Sequence, residues 1–220
     1  MLQPPHAALQ RLSINGCFKF VSFLGGLAAP KLTHLDVSWC SKMKALPRDM
    51  NTLLPNLHTL NIQGCTEIGQ LQEGDLPSNL KELSVAGCKQ QVSDLSWMAN
   101  LEELTHLTID GRDCDSVKSF PEVGLLPHLP SLTTLHLFFL EYLETLECNK
   151  LFHLTSLKTL RFYECPKLKN MAGENLPSSL SLLEIIYCDL LGELCKNKHP
   201  DIWPKIAHIS TIKVNGQQIV

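Results

Sequence analysis

One nine-residue segment recurs along this chain and limits what it can become. LTHLDVSWC, from Leu32 to Cys40, has aliphatic residues at offsets 0, 3 and 5 and a cysteine at offset 8. That spacing fits neither a helical stripe nor plain strand alternation. LQRLSINGC begins at Leu9, LHTLNIQGC at Leu57, LKELSVAGC at Leu80, LKTLRFYEC at Leu157 and LSLLEIIYC at Leu180. Less regular copies are LTHLTIDGR from Leu104, with its cysteine delayed to Cys114, LTTLHLFFL from Leu132, with Leu140 in place of cysteine, and ISTIKVNGQ from Ile209. The copies start at 9, 32, 57, 80, 104, 132, 157, 180 and 209, so neighbours lie 23 to 29 residues apart. Period and internal pattern agree independently. A unit this short cannot bury its apolar face alone, so the copies must stack.

An L-x-x-L-x-L core at a period of about 20 to 29 residues is that of leucine-rich repeats. The expected fold is an α/β leucine-rich-repeat solenoid, with a curved parallel sheet on the concave face and loops with short helical turns on the convex face. Around the second and third aliphatics the chain is extended, so those side chains share one face and their neighbours take the other. The aliphatic ladder is Leu35/Val37, Leu60/Ile62, Leu83/Val85, Leu160/Phe162 and Leu183/Ile185. Pro30, Pro55, Pro77, Pro130 and Pro177 precede strands, where a residue without an N–H suits a lead-in loop better than a ladder. The whole of 1–220 is expected to form one domain of about nine repeats. Within it 190–220 is a capping segment, with Trp203 and Pro204 ahead of the last copy.

Where the chain turns after each strand, backbone groups enter the interior and need partners. Cys17, Cys40, Cys65, Cys88, Cys165 and Cys188 fall at that turn, as small, readily buried side chains with a weak S–H donor. Zinc ligands would show paired C-x-x-C spacing rather than one cysteine every 23 to 25 residues. Cys188, Cys195 and His199 are read as capping structure, and no metal site is expected. Nine cysteines cannot all pair, and reduced thiols are the simpler account.

A net charge of −3 offers no basic field for nucleic acid. The N-terminus lacks the pattern of a secretory signal, no apolar run is long enough to span a bilayer, and no N-x-[ST] acceptor occurs. A soluble chain in the cytoplasm is expected. There is no G-x-x-x-x-G-K-[ST] loop, no G-x-S-x-G elbow and no H-E-x-x-H pair. His34 and His106 share a place in two LTHL segments, but Thr59 and Glu82 stand between them, so no histidine column forms. An enzyme is not expected, nor a cofactor in this chain.

A repeat surface offers contact area. Between the two inner aliphatics the outward residues include His136, Arg161 and Glu184; the two positions after them are polar and glycine-rich early, apart from Trp39. Later they become Phe138, Phe139, Tyr163, Glu164, Ile186 and Tyr187. Aromatics beside an arginine are residue types that dominate protein interfaces. The candidate partner-binding set is therefore Trp39, His136, Phe138, Phe139, Arg161, Tyr163, Glu184, Ile186 and Tyr187. Packing of these aromatics on one another or under a return loop is the alternative, and exposure decides between the two.

The repeat form, with the ending CKNKHPDIWPKIAHISTIKVNG (195–216), resembles the C-terminal leucine-rich-repeat region of plant NB-ARC disease-resistance proteins of the coiled-coil class. ECPKLKNMAGENLPSSLSLLEIIYC (164–188) and HPDIWPKIAHI (199–209) carry the same likeness. The resemblance implies an intracellular plant immune receptor whose repeats recognise a pathogen effector or a modified host protein, the guardee. It also implies that they help hold an intramolecular NB-ARC switch inactive. The coiled coil and the NB-ARC module with its phosphate-binding loop are absent from these residues, so ATP or ADP enters only if such a module lies upstream. The first copy starts at Leu9 without a polar cap, and a fragment of a longer chain is expected. The substrate-recognition repeats of an F-box ubiquitin ligase are the alternative. Those usually follow the cysteine with an I-T-D-like stretch, whereas Cys40 is followed here by SKMKALP and Cys165 by PKLKNMA.

Overall fold

The structure is a computed structural model that describes residues 6–24, 26–87, 92, 94–112, 114, 117–122 and 126–220. The strands among the described residues are β1 (Arg11–Asn15), β2 (His34–Ser38), β3 (Thr59–Gln63), β4 (Glu82–Ala86), β5 (His106–Asp110), β6 (Ser119–Phe120) and β7 (Thr134–Phe138). They continue with β8 (Thr145–Glu147), β9 (Thr159–Tyr163), β10 (Asn170–Ala172), β11 (Leu182–Ile186), β12 (Thr211–Val214) and β13 (Gln217–Gln218).

The repeated segment supplies the main sheet, in the order β1-β2-β3-β4-β5-β7-β9-β11-β12-β13. All neighbours are parallel except β13, which folds back antiparallel on β12. One register runs through it: Leu12, Leu35, Leu60, Leu83, Leu107, Leu135, Leu160, Leu183 and Ile212 are successive partners. From Leu35 onward these side chains and the aliphatics two residues later are fully buried, so the inner face is one continuous apolar ladder. The chain folds as a leucine-rich-repeat solenoid. In β1, at the edge, Leu12 and Ile14 stay half-buried because no described rung covers them.

The return side is more ordered than loops and turns. Strands β10, β8 and β6 form a second parallel sheet in that order, with Met171, Leu146 and Phe120 in register and buried. It follows from a second apolar pattern, three and six residues after each turn position: Met43 and Leu46, Ile68 and Leu71, Val117 and Phe120, Leu143 and Leu146, Leu168 and Met171, all buried. Elsewhere the return path uses a short helix α1 (Met50–Leu53) and tight turns at Ser96–Met98 and Cys148–Lys150. The prolines ahead of the strands lie outside the ladders, and their carbonyls serve as anchors for the next rung. Asn56 Nδ2 donates to Pro30 O at 2.7 Å, Asn79 Nδ2 to Pro55 O at 2.7 Å and Ser156 Oγ to Pro130 O at 2.5 Å.

Near the C-terminus, helix α2 (Asp189–Lys196) packs beneath β11, with Leu191 and Cys195 buried. Gly192 lets it approach β12: a Cβ there would sit 2.9 Å from Val214 Cγ1. Helix α3 (Trp203–Ile206) follows, and β13 then lies along the outer side of β12.

The turn thiols form a column of weak donors. Cys40 Sγ lies 3.6 Å from Ile14 O, Cys65 Sγ 3.5 Å from Val37 O and Cys165 Sγ 3.6 Å from Leu137 O, each a carbonyl of the preceding rung. Each also reaches the carbonyl two residues before it. Cys188 Sγ bonds Ile186 O at 3.3 Å and accepts from Cys165 N–H at 3.3 Å. The Cys188 sulfur beside its thiol, and then burial, raise the Cys165 pKa, and burial pushes Cys148 up to about 11 and Cys195 to about 12. Cys165 and Cys148 thus stay protonated and donating at neutral pH. Cys17 departs from the expected burial: it is exposed, with one long contact to Asn15 O at 3.7 Å, because it sits on the edge rung. Cys88 lies outside the described residues.

Candidate functional site

One position in every rung, the residue just before the turn cysteine, controls what the upper rim of the open face presents. Its N–H continues the ladder one step beyond the strand. Gly16 donates to Ser38 O at 2.9 Å, Trp39 to Gln63 O at 2.7 Å, Phe139 to Tyr163 O at 2.8 Å and Glu164 to Ile186 O at 2.9 Å. The chain then turns sharply, and the backbone there is left-handed on the rungs of β1 to β4, β7, β9 and β11, though not at Gly111 after β5. Gly16, Gly64 and Gly87 meet that demand without a Cβ, at φ of 65°, 60° and 62°. Trp39, Phe139, Glu164 and Tyr187 adopt the same conformation, at φ between 52° and 56°, although an L side chain there costs about 1–2 kcal/mol. The fold would accept glycine at these places, so large side chains are held outward on the rim against a local penalty. At the end of the row the Asn215 side chain replaces the missing carbonyl, accepting from Tyr187 N–H at 2.8 Å.

Over β7, β9 and β11 the rim aromatics meet those of the open face. Tyr163 is the hub: its ring makes edge contacts with Phe138 at 5.7 Å, Phe139 at 5.3 Å and Tyr187 at 5.5 Å between centroids. His136 stacks on Phe138 at 5.3 Å. Arg112, which stands in the turn cysteine's place after β5, lays its guanidinium 4.7 Å over Phe139. The same guanidinium is fixed from below by Asp110, with Nε 2.9 Å and Nη2 2.6 Å from Oδ2. Aromatic pairs of this geometry are worth about 0.5–1.5 kcal/mol each beyond their area. The array is therefore stiff before any partner arrives.

Its charges are organised as well. Arg161 Nε donates to Glu184 Oε2 at 2.7 Å, and Lys213 Nζ lies 3.9 Å from Glu184 Oε1 on the next rung. Burial first, and then the Arg161 charge, lowers the His136 pKa to about 4, so this imidazole is neutral at physiological pH. The Glu164 carboxylate, bonded to the Tyr163 hydroxyl, raises the pKa of that phenol. Among the described residues no three His, Cys, Asp or Glu side chains converge as a metal ion would require. No helix among them is long and apolar enough to cross a membrane.

Eight of the nine candidate residues come together here: His136, Phe138, Phe139, Arg161, Tyr163, Glu184, Ile186 and Tyr187. Both readings of the aromatics hold in part, since the rings pack on one another while Tyr187 keeps 59% of its surface exposed and Phe138, Phe139 and Tyr163 are only half-buried. Trp39 stands apart, on the rim of β2, four rungs from β7 in the sheet order. Its indole covers Gly64, where an added Cβ would lie 2.5 Å from Trp39 Cε3.

No family model matches the chain. A disease resistance protein of Arabidopsis thaliana is 36% identical to it over 195 residues, which is 88% of this chain and 13% of that protein. The disease resistance proteins RPS4B and RPP2A of the same plant are 30% and 29% identical, over 86% and 52% of this chain and 17% and 8% of their own lengths. Its relatives are plant disease resistance proteins. The chain spans less than a fifth of the length of these curated relatives.

Four residues at this site carry no sequence signal of their own. Asp110 and Arg112 come from the irregular copy whose cysteine is delayed to Cys114, and Tyr142 and Lys167 come from the turns after β7 and β9. Lys167 Nζ sits 4.3 Å over the Tyr142 ring. The two residues lie 25 positions apart, one repeat, so only the stacking of repeats joins them.

Proposed function

We propose that this chain is the protein-recognition region of an intracellular plant immune receptor working in the cytoplasm. The face over β7, β9 and β11 recognises a pathogen effector or a host protein that an effector has modified. The same repeats help keep a nucleotide-binding switch, outside this chain, inactive until that contact is made. The observation that carries this reading is the rim, where Phe139 and Tyr187 are held outward at backbone positions that glycine fills on other rungs. Relatives named for disease resistance support the receptor class. The mechanism involves no bond chemistry: a rigid sheet presents anchored aromatics, and a partner is gained or exchanged on it.

The test is made in the full-length receptor. Phe138→Ala, Tyr163→Ala and Tyr187→Ala are each expected to abolish the pathogen-triggered cell-death response in leaf tissue, with protein level and a cooperative unfolding transition retained, the transition lowered most in Tyr163→Ala. Normal responses from all three would place recognition elsewhere. A response that fires without pathogen would assign the same face to restraint of the switch.

A further inference from the structure

Behind the rim lies a pocket of about 330 Å³. Three rings wall it: Phe139 and Tyr187 from the rim, and Tyr142 from the turn after β7. Glu141 and Glu164 bring two carboxylates to its lining. Neither makes an ion pair among the described residues. The neighbouring acids differ, since Glu144 is paired with Lys169, Glu184 with Arg161 and Asp110 with Arg112. The sixth participant shows what these walls accept: the Lys167 ammonium already lies on the open face of Tyr142.

We propose that this pocket binds an arginine side chain of the protein partner, its guanidinium stacked between the aromatic walls and held by Glu141 and Glu164. The proposal rests on the recognition role proposed for the adjoining face. Charge complementarity selects the occupant. Two carboxylates against the single Lys167 ammonium leave the lining net negative, which repels an acidic segment and gives a neutral one little to offset their desolvation, whereas a second cation on the aromatic faces gains from both. Guanidinium is favoured over ammonium because it is planar, stacks on rings, is weakly hydrated and can meet two carboxylates at once. The walls are pre-set: Phe139, Glu164 and Tyr187 occupy the left-handed position on three successive rungs, about 4.8 Å apart, and do not have to be ordered on binding.

The test titrates the 220-residue chain with Nα-acetyl-arginine amide, its uncharged citrulline counterpart and the lysine analogue, read by two-dimensional NMR of the aromatic side chains. The arginine compound is expected to shift Phe139, Tyr142 and Tyr187 saturably, with the citrulline and lysine compounds at least tenfold weaker. Glu141→Gln with Glu164→Gln is expected to weaken arginine at least tenfold, with unchanged circular dichroism. The proposal is overturned by equal binding of citrulline or lysine, by arginine shifts that survive the double substitution, or by no shifts at these rings. It fails separately from the recognition role: loss of the leaf response in the alanine variants without arginine binding removes only the pocket, whereas arginine binding with a normal leaf response removes only the recognition role.

Discussion

Arg112 neutralises a carboxylate that the fold has buried, because Asp110 is 4% exposed and its oxygens face the guanidinium on two sides. Removing one partner of such a pair leaves an uncompensated charge, while removing both leaves none. Arg112→Ala is therefore expected to lower stability by about 2–3 kcal/mol in urea unfolding, and adding Asp110→Asn to recover part of that loss. If the double variant is no more stable than Arg112→Ala, the buried charge is not the cause. His136 gives a pH signature at the same scale. Its pKa is about 4 in the folded chain against 6.5 ordinarily, so between those values the unfolded chain binds more protons. The contribution to stability then falls as pH drops from about 6.5 to about 4, and is level above and below that window. Burial sets that pKa first; the Arg161 charge on the strand beyond and His106 on the strand before lower it further, and Glu184 opposes them. His136→Asn is expected to flatten the urea midpoint against pH in that window and leave it unchanged at pH 7.5.

Between β5 and β7 the repeat deviates from its own pattern and compensates within two residues. Leu140 takes the cysteine's place and needs more room, and Gly111 on the rung before supplies it: a Cβ at Gly111 would lie 2.3 Å from Leu140 Cδ2. Gly111→Ala is expected to cost about 1–3 kcal/mol, and Leu140→Cys in the same chain to restore most of it. A loss that Leu140→Cys leaves unrelieved would trace the effect to the backbone instead. At this scale the main strands were legible from the sequence because two periods coincide, alternation within a unit and 23 to 29 residues between units. The second sheet was not. Pairs such as Val117 with Phe120 or Leu168 with Met171 are three residues apart, a spacing that suits a turn as well as a two- or three-residue strand, and only the neighbouring rungs decide. The left-handed row shows in the sequence at Gly16, Gly64 and Gly87 and is hidden where Trp39, Phe139, Glu164 and Tyr187 fill it. Most of the site followed from aromatics at fixed offsets, whereas its pocket draws on Tyr142 and Lys167, which only stacking brings together.

In a stacked array each rung is stabilised by its neighbours, so position along the sheet matters as much as residue type. Leu160 is fully buried between two rungs, and Leu160→Ala is expected to cost about 2–5 kcal/mol. Leu12 occupies the equivalent register position on β1 but is half-buried, so Leu12→Ala is expected to cost less than half as much. Amide hydrogen exchange should follow the same gradient, fastest in β1 and slowest in β7 and β9. Equal protection along the array would mean that it opens as one unit. The rim has a consequence for how such a surface can diversify. Its pitch is set by backbone hydrogen bonds between rungs, so the letter at any one rung can be rewritten while the spacing of the rest is preserved. Gly16 has free space where a side chain would go, Gly87 would bring a Cβ to 3.4 Å from the Gly64 backbone, and Gly64 lies under Trp39 and is closed to change until that indole is removed.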